Sequence, residues 1–193
     1  MRVEAVNSLG VGGVAIEVPW SGTDGDAYLD LRGNPAAISQ IEVAREYSPL
    51  AGFLTVVNGA GSLFATVRAK VWEETALHSG AEFTFHSRVD LMFARSEFNF
   101  TSERYEDAVQ RLVALWMKDT SGDVLSVRME ILRCAYGTEK KEGAALRLTL
   151  TSRSASAEQA RVRWGLGIVR VQQALLFVSR AMRQKLGIDG DGE

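Results

Sequence analysis

An α+β fold, with an antiparallel sheet covered on one face by helices that include a long C-terminal one, is what this sequence predicts. Three observations carry the expectation. Several segments alternate apolar and polar residues at the period of a half-buried strand. The strands follow one another across short turns, which implies antiparallel pairing. A run of about thirty residues near the C-terminus, on the order of 45 Å as a helix, opens on a capping box and closes on a glycine.

The elements are read in chain order. Leu9-Gly10-Val11-Gly12-Gly13-Val14 is glycine-rich, but no Lys and hydroxyl pair follows and the run leads into a strand, so it reads as a turn or bulge and not as a phosphate loop. Val14, Ile16 and Val18 alternate with polar or small residues, residues 19–26 have turn composition, and Ala27, Leu29 and Leu31 alternate again. Together these predict a hairpin. Asn34-Pro35 is a helix start, with Ile38, Ile41 and Ala44 at helical spacing. Ser48-Pro49 breaks or bends that helix, Leu50 to Val57 reads as a short helix or a strand, and Asn58-Gly59 stops it.

Two long strands come next. Leu63, Ala65, Val67, Ala69 and Val71 form the apolar side of one, with Phe64, Thr66, Arg68, Lys70 and Trp72 opposite. Phe83, Phe85, Val89, Leu91 and Phe93 form that side of the next, between Ala81 and Ala94, with Glu82, Thr84, His86, Arg88 and Asp90 opposite; Thr75 to Gly80 is the hairpin loop. Thr101-Ser102-Glu103 opens a helix whose stripe is Tyr105, Ala108, Val109, Leu112, Leu115 and Trp116, ending at residues 119–122. Two further strands, Leu125 to Ile131 and Leu146 to Leu150, flank a charged loop from Gly137 to Gly143. Ser156-Ala157-Glu158-Gln159 then caps the last helix, which runs to about Leu186 before Gly187. Phe83, Phe85, Leu91, Val127, Ile131, Leu146 and Leu148 are the expected core. Residues 1–187 are expected to form one domain, and 188–193 a disordered tail.

Composition bounds the function. The chain has 193 residues, 46% hydrophobic and 24% charged, with net charge −2, which excludes a polyanion binder by overall charge. Its one cysteine, Cys134, excludes an internal disulfide framework and a cysteine zinc cluster, and it reads as a buried strand residue in a reducing compartment. Two histidines without ligand spacing serve a transition metal poorly, so no metal and no cofactor is expected. The N-terminus has no signal-peptide run, and arginines interrupt the apolar stretch from Val162 to Met182, so no membrane association is expected and the location reads as cytoplasmic. Arginine exceeding lysine, with abundant alanine, suits a GC-rich bacterial or phage genome.

Two surfaces stand out. The polar strand faces place Arg68, His86, Arg88, Arg128 and Arg147 on one side of the sheet, an arginine-rich face suited to a protein partner or an anionic ligand. The last helix carries Arg161, Arg163, Arg170, Arg180 and Arg183 against one acid, Glu158, which suits nucleic acid or an acidic protein. Its apolar side is expected to be spent on the sheet, leaving only charge outside. The leading expectation is a non-catalytic interaction protein that docks a macromolecular partner, as an immunity- or defence-type inhibitor or a subunit of an assembly. The alternatives are a nucleic-acid-contacting subunit using the basic helix and an enzyme with a polar site around His86, Arg88 and Arg128. No catalytic motif such as Gly-x-Ser-x-Gly or His-Glu-x-x-His is present.

Overall fold

The computed structural model describes residues 1–19, 28–76, 82–117 and 125–188. The strands are β1 (Arg2–Asn7), β2 (Ile16–Val18), β3 (Phe64–Ala76), β4 (Glu82–Phe93), β5 (Leu125–Tyr136) and β6 (Lys141–Ser154). The helices are α1 (Glu42–Glu46), α2 (Ser48–Val57), α3 (Ser102–Trp116) and α4 (Ala157–Leu186), with short 3-10 turns at Pro35–Gln40 and Ser96–Phe100. The sheet order is β1-β5-β6-β4-β3, and β2 also pairs with β5. The four long strands are antiparallel neighbours. The α+β fold with helices on one face and a long C-terminal helix is as the sequence predicts.

The N-terminal hairpin does not form. β1 and β2 both run parallel to β5, pairing Arg2 with Ser126 through Asn7 with Ile131, then Ile16 with Cys134 through Val18 with Tyr136. They are two pieces of one edge strand, interrupted by an arch of the glycine-rich residues; Ser8 N and Ala15 N donate to the carbonyls of Ile131 and Arg133 on either side of the arch. Residues 31–33 form a turn instead of a strand, with Asp30 Oδ1 accepting from Arg32 N and Gly33 N, and Leu31 drops into the core. Local alternation was satisfied by a distant partner, β5, that no short-range pattern specifies.

The break expected at Ser48-Pro49 is present: α1 ends at Glu46, Tyr47 is extended at φ −118° and ψ 93°, and a new helix, α2, begins at Ser48. Pro49 occupies the first turn of α2, where its missing N–H costs nothing, and the stretch Leu50–Val57 is helical with Leu50, Phe53, Leu54 and Val57 buried. Thr101 precedes α3 without a side-chain cap. Half of the capping box on α4 is present: Ser156 Oγ accepts from Gln159 N at 3.3 Å, while Gln159 Oε1 accepts from Ser154 Oγ at 3.0 Å. Gly187 ends the helix at φ 66°, which an L side chain adopts only at a cost. The expected turn and strand start over residues 20–27, the β3–β4 loop beyond Ala76, the helix stop at residues 119–122 and the tail from residue 189 lie outside the described residues.

A bulge at Val67 changes the face assignment of β3. Register shifts between Thr66, opposite Leu91, and Arg68, opposite Asp90. Phe64 and Thr66 therefore face the helices, Thr66 bonded to Asn58, contrary to strict alternation. Beyond the bulge, Ala69 and Val71 pack on the helix-side core, and Arg68, Lys70 and Trp72 take the opposite face.

The seven expected core residues meet in one cluster, with Phe83 partly buried at its edge and the other six buried. α4 lies across β6 and β4, with Ala160, Trp164, Ile168, Val171, Leu175, Val178 and Met182 buried. Trp164 Nε1 donates to Ser87 Oγ at 2.8 Å, which satisfies the one polar group Trp brings inside. Gly167 permits the close approach: a Cβ there would sit about 3 Å from the methyls of Leu125 and Leu150.

The opposite sheet face is divided. At one end Ile16, Val18, Val67, Leu132, Cys134, Tyr136 and Ala145 form a second small core with Tyr28, Met92 and Phe100. β5 continues past Ile131, and its outward positions Leu132, Cys134 and Tyr136 turn apolar there. Cys134 is fully buried and its thiol is pushed up to about 11 by burial, so it stays protonated at neutral pH. The rest of that face is polar.

Candidate functional site

Strand pairing converts five separate sequence segments into a grid. One row reads Lys70, Arg88, Thr149, Arg128, Glu4 from β3 across to β1. The next reads Arg68, Asp90, Arg147, Glu130, Val6, and on the other side lies Trp72, His86, Thr151, Ser126, Arg2. Neighbours within a row are about 4.8 Å apart by strand spacing. The five sheet-face candidates, Arg68, His86, Arg88, Arg128 and Arg147, are thus brought onto one continuous surface over four adjacent strands.

They are not equivalent. Arg147 is engaged inside the surface: its Nε and Nη2 donate to the two carboxylate oxygens of Asp90 at 2.7 and 3.0 Å. Asp90 keeps 2% of its side-chain exposure and Arg147 20%. The hydrogen bonds to Asp90 raise the Arg147 pKa against burial. Arg128 is exposed and pairs with Glu4 at 3.3 Å. Glu130 accepts from Ser8 Oγ at 2.6 Å, tying the glycine arch to the face.

Arg88 is different. It is half-buried between its cross-strand neighbours Lys70 and Thr149. Burial lowers its pKa, as do Arg147 and Arg68, and only Asp90 opposes them. Asp90 is already held by Arg147, and among the described residues no carboxylate lies within ion-pair distance of Arg88. The centre of the face is therefore a cation among cations, partly stripped of water.

His86 stacks on Trp72, ring centroids 4.9 Å apart and planes 8° from parallel. Its Nδ1 lies 3.0 Å from Thr151 Oγ1, and its buried Nε2 has no hydrogen-bond partner, with Glu74 Oε2 at 3.6 Å. Burial lowers the His86 pKa, Glu74 raises it in part, and Arg153 lowers it again. The ring is thus neutral near pH 7 and forms, with Trp72, a flat aromatic patch beside Arg88. Trp72 lies on the polar side of its strand in the sequence, and its i+2 spacing from Lys70 is the signal that puts it on this surface.

The basic helix candidates are scattered by comparison. Arg161 and Arg163 are two residues apart and so about 200° apart around α4. Arg161 pairs with Glu73 at 2.6 Å, while Arg163 and Arg183 donate to the carbonyls of Arg153 and Ala60. Arg170 and Arg180 are exposed on the outer side. That side is not purely charged, as the sequence led one to expect: Val162, Leu166, Val169 and Phe177 are exposed there. The helix carries more large apolar residues than its buried stripe holds, so Val162, Leu166, Val169 and Phe177 are left outside among the arginines.

Among the described residues no three His, Cys, Asp or Glu side chains come together as a metal site, and no helix is long and apolar enough to cross a membrane. An open, mixed-charge sheet face with an arginine centre defines the site. No protein-family model matches the chain, and neither a curated protein nor a solved structure shows significant similarity to it.

Proposed function

We propose that the chain is a protein-docking module whose open sheet face receives an acidic patch of a macromolecular partner, in the manner of an inhibitor or an assembly subunit. The observation that carries this reading is Arg88: a half-buried guanidinium at the centre of the face, crowded by Arg68 and Arg147 and unmatched by a carboxylate among the described residues. An incoming carboxylate would relieve that crowding and complete a planar, two-hydrogen-bond pairing. Lys70 and Arg128 extend the same row and would steer an acidic partner, while Trp72 and His86 supply a flat aromatic anchor beside it.

The test is capture by the tagged full chain from its native host, with mass spectrometry to identify what is retained, followed by affinity measurement with the purified partner. Charge reversal at Arg88 and Arg128 should abolish capture. Reversal at Arg163 and Arg170 should leave equilibrium capture through the sheet intact and chiefly slow association. Should the helix pair prove essential and the sheet pair dispensable, with nucleic acid retained in a salt-dependent way, the basic-helix reading replaces this one.

A further inference from the structure

The outward side of α4 is a second surface, independent of the sheet face. Val162, Leu166, Val169 and Phe177 are 59%, 63%, 41% and 58% exposed. They recur at intervals of four, three and eight residues, which keeps them on one side of a helix turning 100° per residue. Gln173 falls in the same stripe between Val169 and Phe177, and Leu176 borders it half-buried. The stripe runs about 22 Å along the helix axis at 1.5 Å per residue. These are anchors of the spacing by which one helix packs on another.

The rim of the stripe is basic. α4 carries Arg161, Arg163, Arg170, Arg180, Arg183 and Lys185 against the single acid Glu158, in a chain whose net charge is −2. Glu73 and Asp107 neutralise Arg161 and Lys185. Arg163 and Arg183 bond to backbone carbonyls, which satisfies their N–H groups without cancelling their charge. Arg180 stands exposed beyond Phe177 at the end of the stripe. A second copy of this helix would bring arginines against arginines. A partner helix with apolar anchors and acidic flanks would meet both the stripe and its rim.

We infer that the outer face of α4 docks an acidic amphipathic helix of a protein partner, through Val162, Leu166, Val169 and Phe177. A lipid surface fits less well, because Gln173 interrupts the stripe and two of the flanking cations are already paired with carboxylates.

The experiment uses the full chain and a labelled synthetic peptide of about 20 residues, on the order of 30 Å as a helix, with Leu at a and d heptad positions and Glu at e and g. A second peptide carries Lys in place of Glu. Fluorescence anisotropy should show saturable binding of the Glu peptide that weakens with added salt, and no comparable binding of the Lys peptide. Leu166→Ser with Phe177→Ser should weaken the Glu peptide on the order of 30-fold or more, the scale of a lost hot spot, with circular dichroism and melting unchanged because both side chains are exposed. Arg180→Glu should weaken it and flatten the salt dependence. Charge reversal at Arg88 and Arg128 should leave it untouched, so this surface stands or falls apart from the sheet face. Equal binding of both peptides, no saturable binding, or no effect of the Leu166/Phe177 pair overturns the inference. A concentration-dependent dimer abolished by that pair would assign the stripe to a second copy instead, and binding to phosphatidylserine vesicles abolished by it would assign the stripe to a membrane; either result overturns the inference too.

Discussion

Replacing Arg147 with Met keeps most of the side-chain stem but removes the guanidinium that holds Asp90. The carboxylate of Asp90 is 2% exposed and takes both of its hydrogen bonds from Arg147, whose own side chain is 20% exposed. Exposed ion pairs contribute about 0–1 kcal/mol, whereas removing one partner of a buried pair costs about 3–5 kcal/mol. A buried acid with a partly wet base falls between, and Arg147→Met is predicted to cost about 2–4 kcal/mol. For a chain of this size that lowers the melting temperature by roughly 5–15 °C. The double variant Asp90→Leu with Arg147→Met removes the stranded charge as well and should recover most of the loss. Urea unfolding of the two single variants and the double variant, at constant denaturant slope, measures the cycle. A cost below about 1 kcal/mol for Arg147→Met would mean that Asp90 finds other solvation and that the pair does not fix the frame around Arg88.

Phe85 is 1% exposed and packs against Trp164 with ring centroids 4.8 Å apart and against Tyr47 at 5.5 Å; Phe85→Ala should cost about 3–5 kcal/mol in the unfolding midpoint, and an unmoved midpoint would refute the β4 register. His86 has a folded-state pKa below its ordinary 6.5, so as pH falls through about 6.5 the unfolded chain takes up its proton first, and stability declines until the lower folded pKa is passed. His86→Gln should remove that part of the acid sensitivity below about pH 6.5, and an identical pH slope in thermal unfolding would contradict it. Gly143 has no room for a side chain: a Cβ would clash with the backbone carbonyl of Asn99 and press on Phe100. Gly143→Ala is therefore predicted to cost about 1–3 kcal/mol, read from the same unfolding curves.

The elements legible in the sequence were those set by local rules. The alternation in β4, β5 and β6 identified both faces of the central sheet, because each strand has one helix-covered side and one open side. The capping box and terminal glycine bounded α4 because they act within a turn of the chain. The elements that were not legible depend on distant partners or single-residue irregularities. Arg2–Asn7 has too few apolar residues to mark a strand until β5 offers it an edge. Ile16–Val18 alternates correctly but pairs far away in the chain. The bulge at Val67 adds one residue and reverses the faces of everything before it, so Phe64 and Thr66 point to the helices while Arg68 keeps its assigned side. The candidate arginines of the sheet were found because they lie beyond that bulge or on unbroken strands. The apolar outer stripe of α4 was visible as an excess of large side chains around the helix, but the assumption that one apolar side is all a helix carries concealed it.

Arg88 is the unmatched centre of the proposed docking face. The direct measurement is the affinity of the purified partner for the wild-type chain and for the variant with Arg88→Glu and Arg128→Glu, by calorimetry, with thermal unfolding of both chains alongside. Arg88→Glu removes a cation crowded by Arg68 and Arg147, and Arg128→Glu exchanges an exposed pair with Glu4 for a like-charge contact across the strands, so the fold should survive, with the cost read directly from the melts. Binding should fall on the order of 100-fold or more, the scale of reversing charge at a half-buried interface arginine. Unchanged affinity in a folded variant would contradict the account and take the docking site off the sheet face.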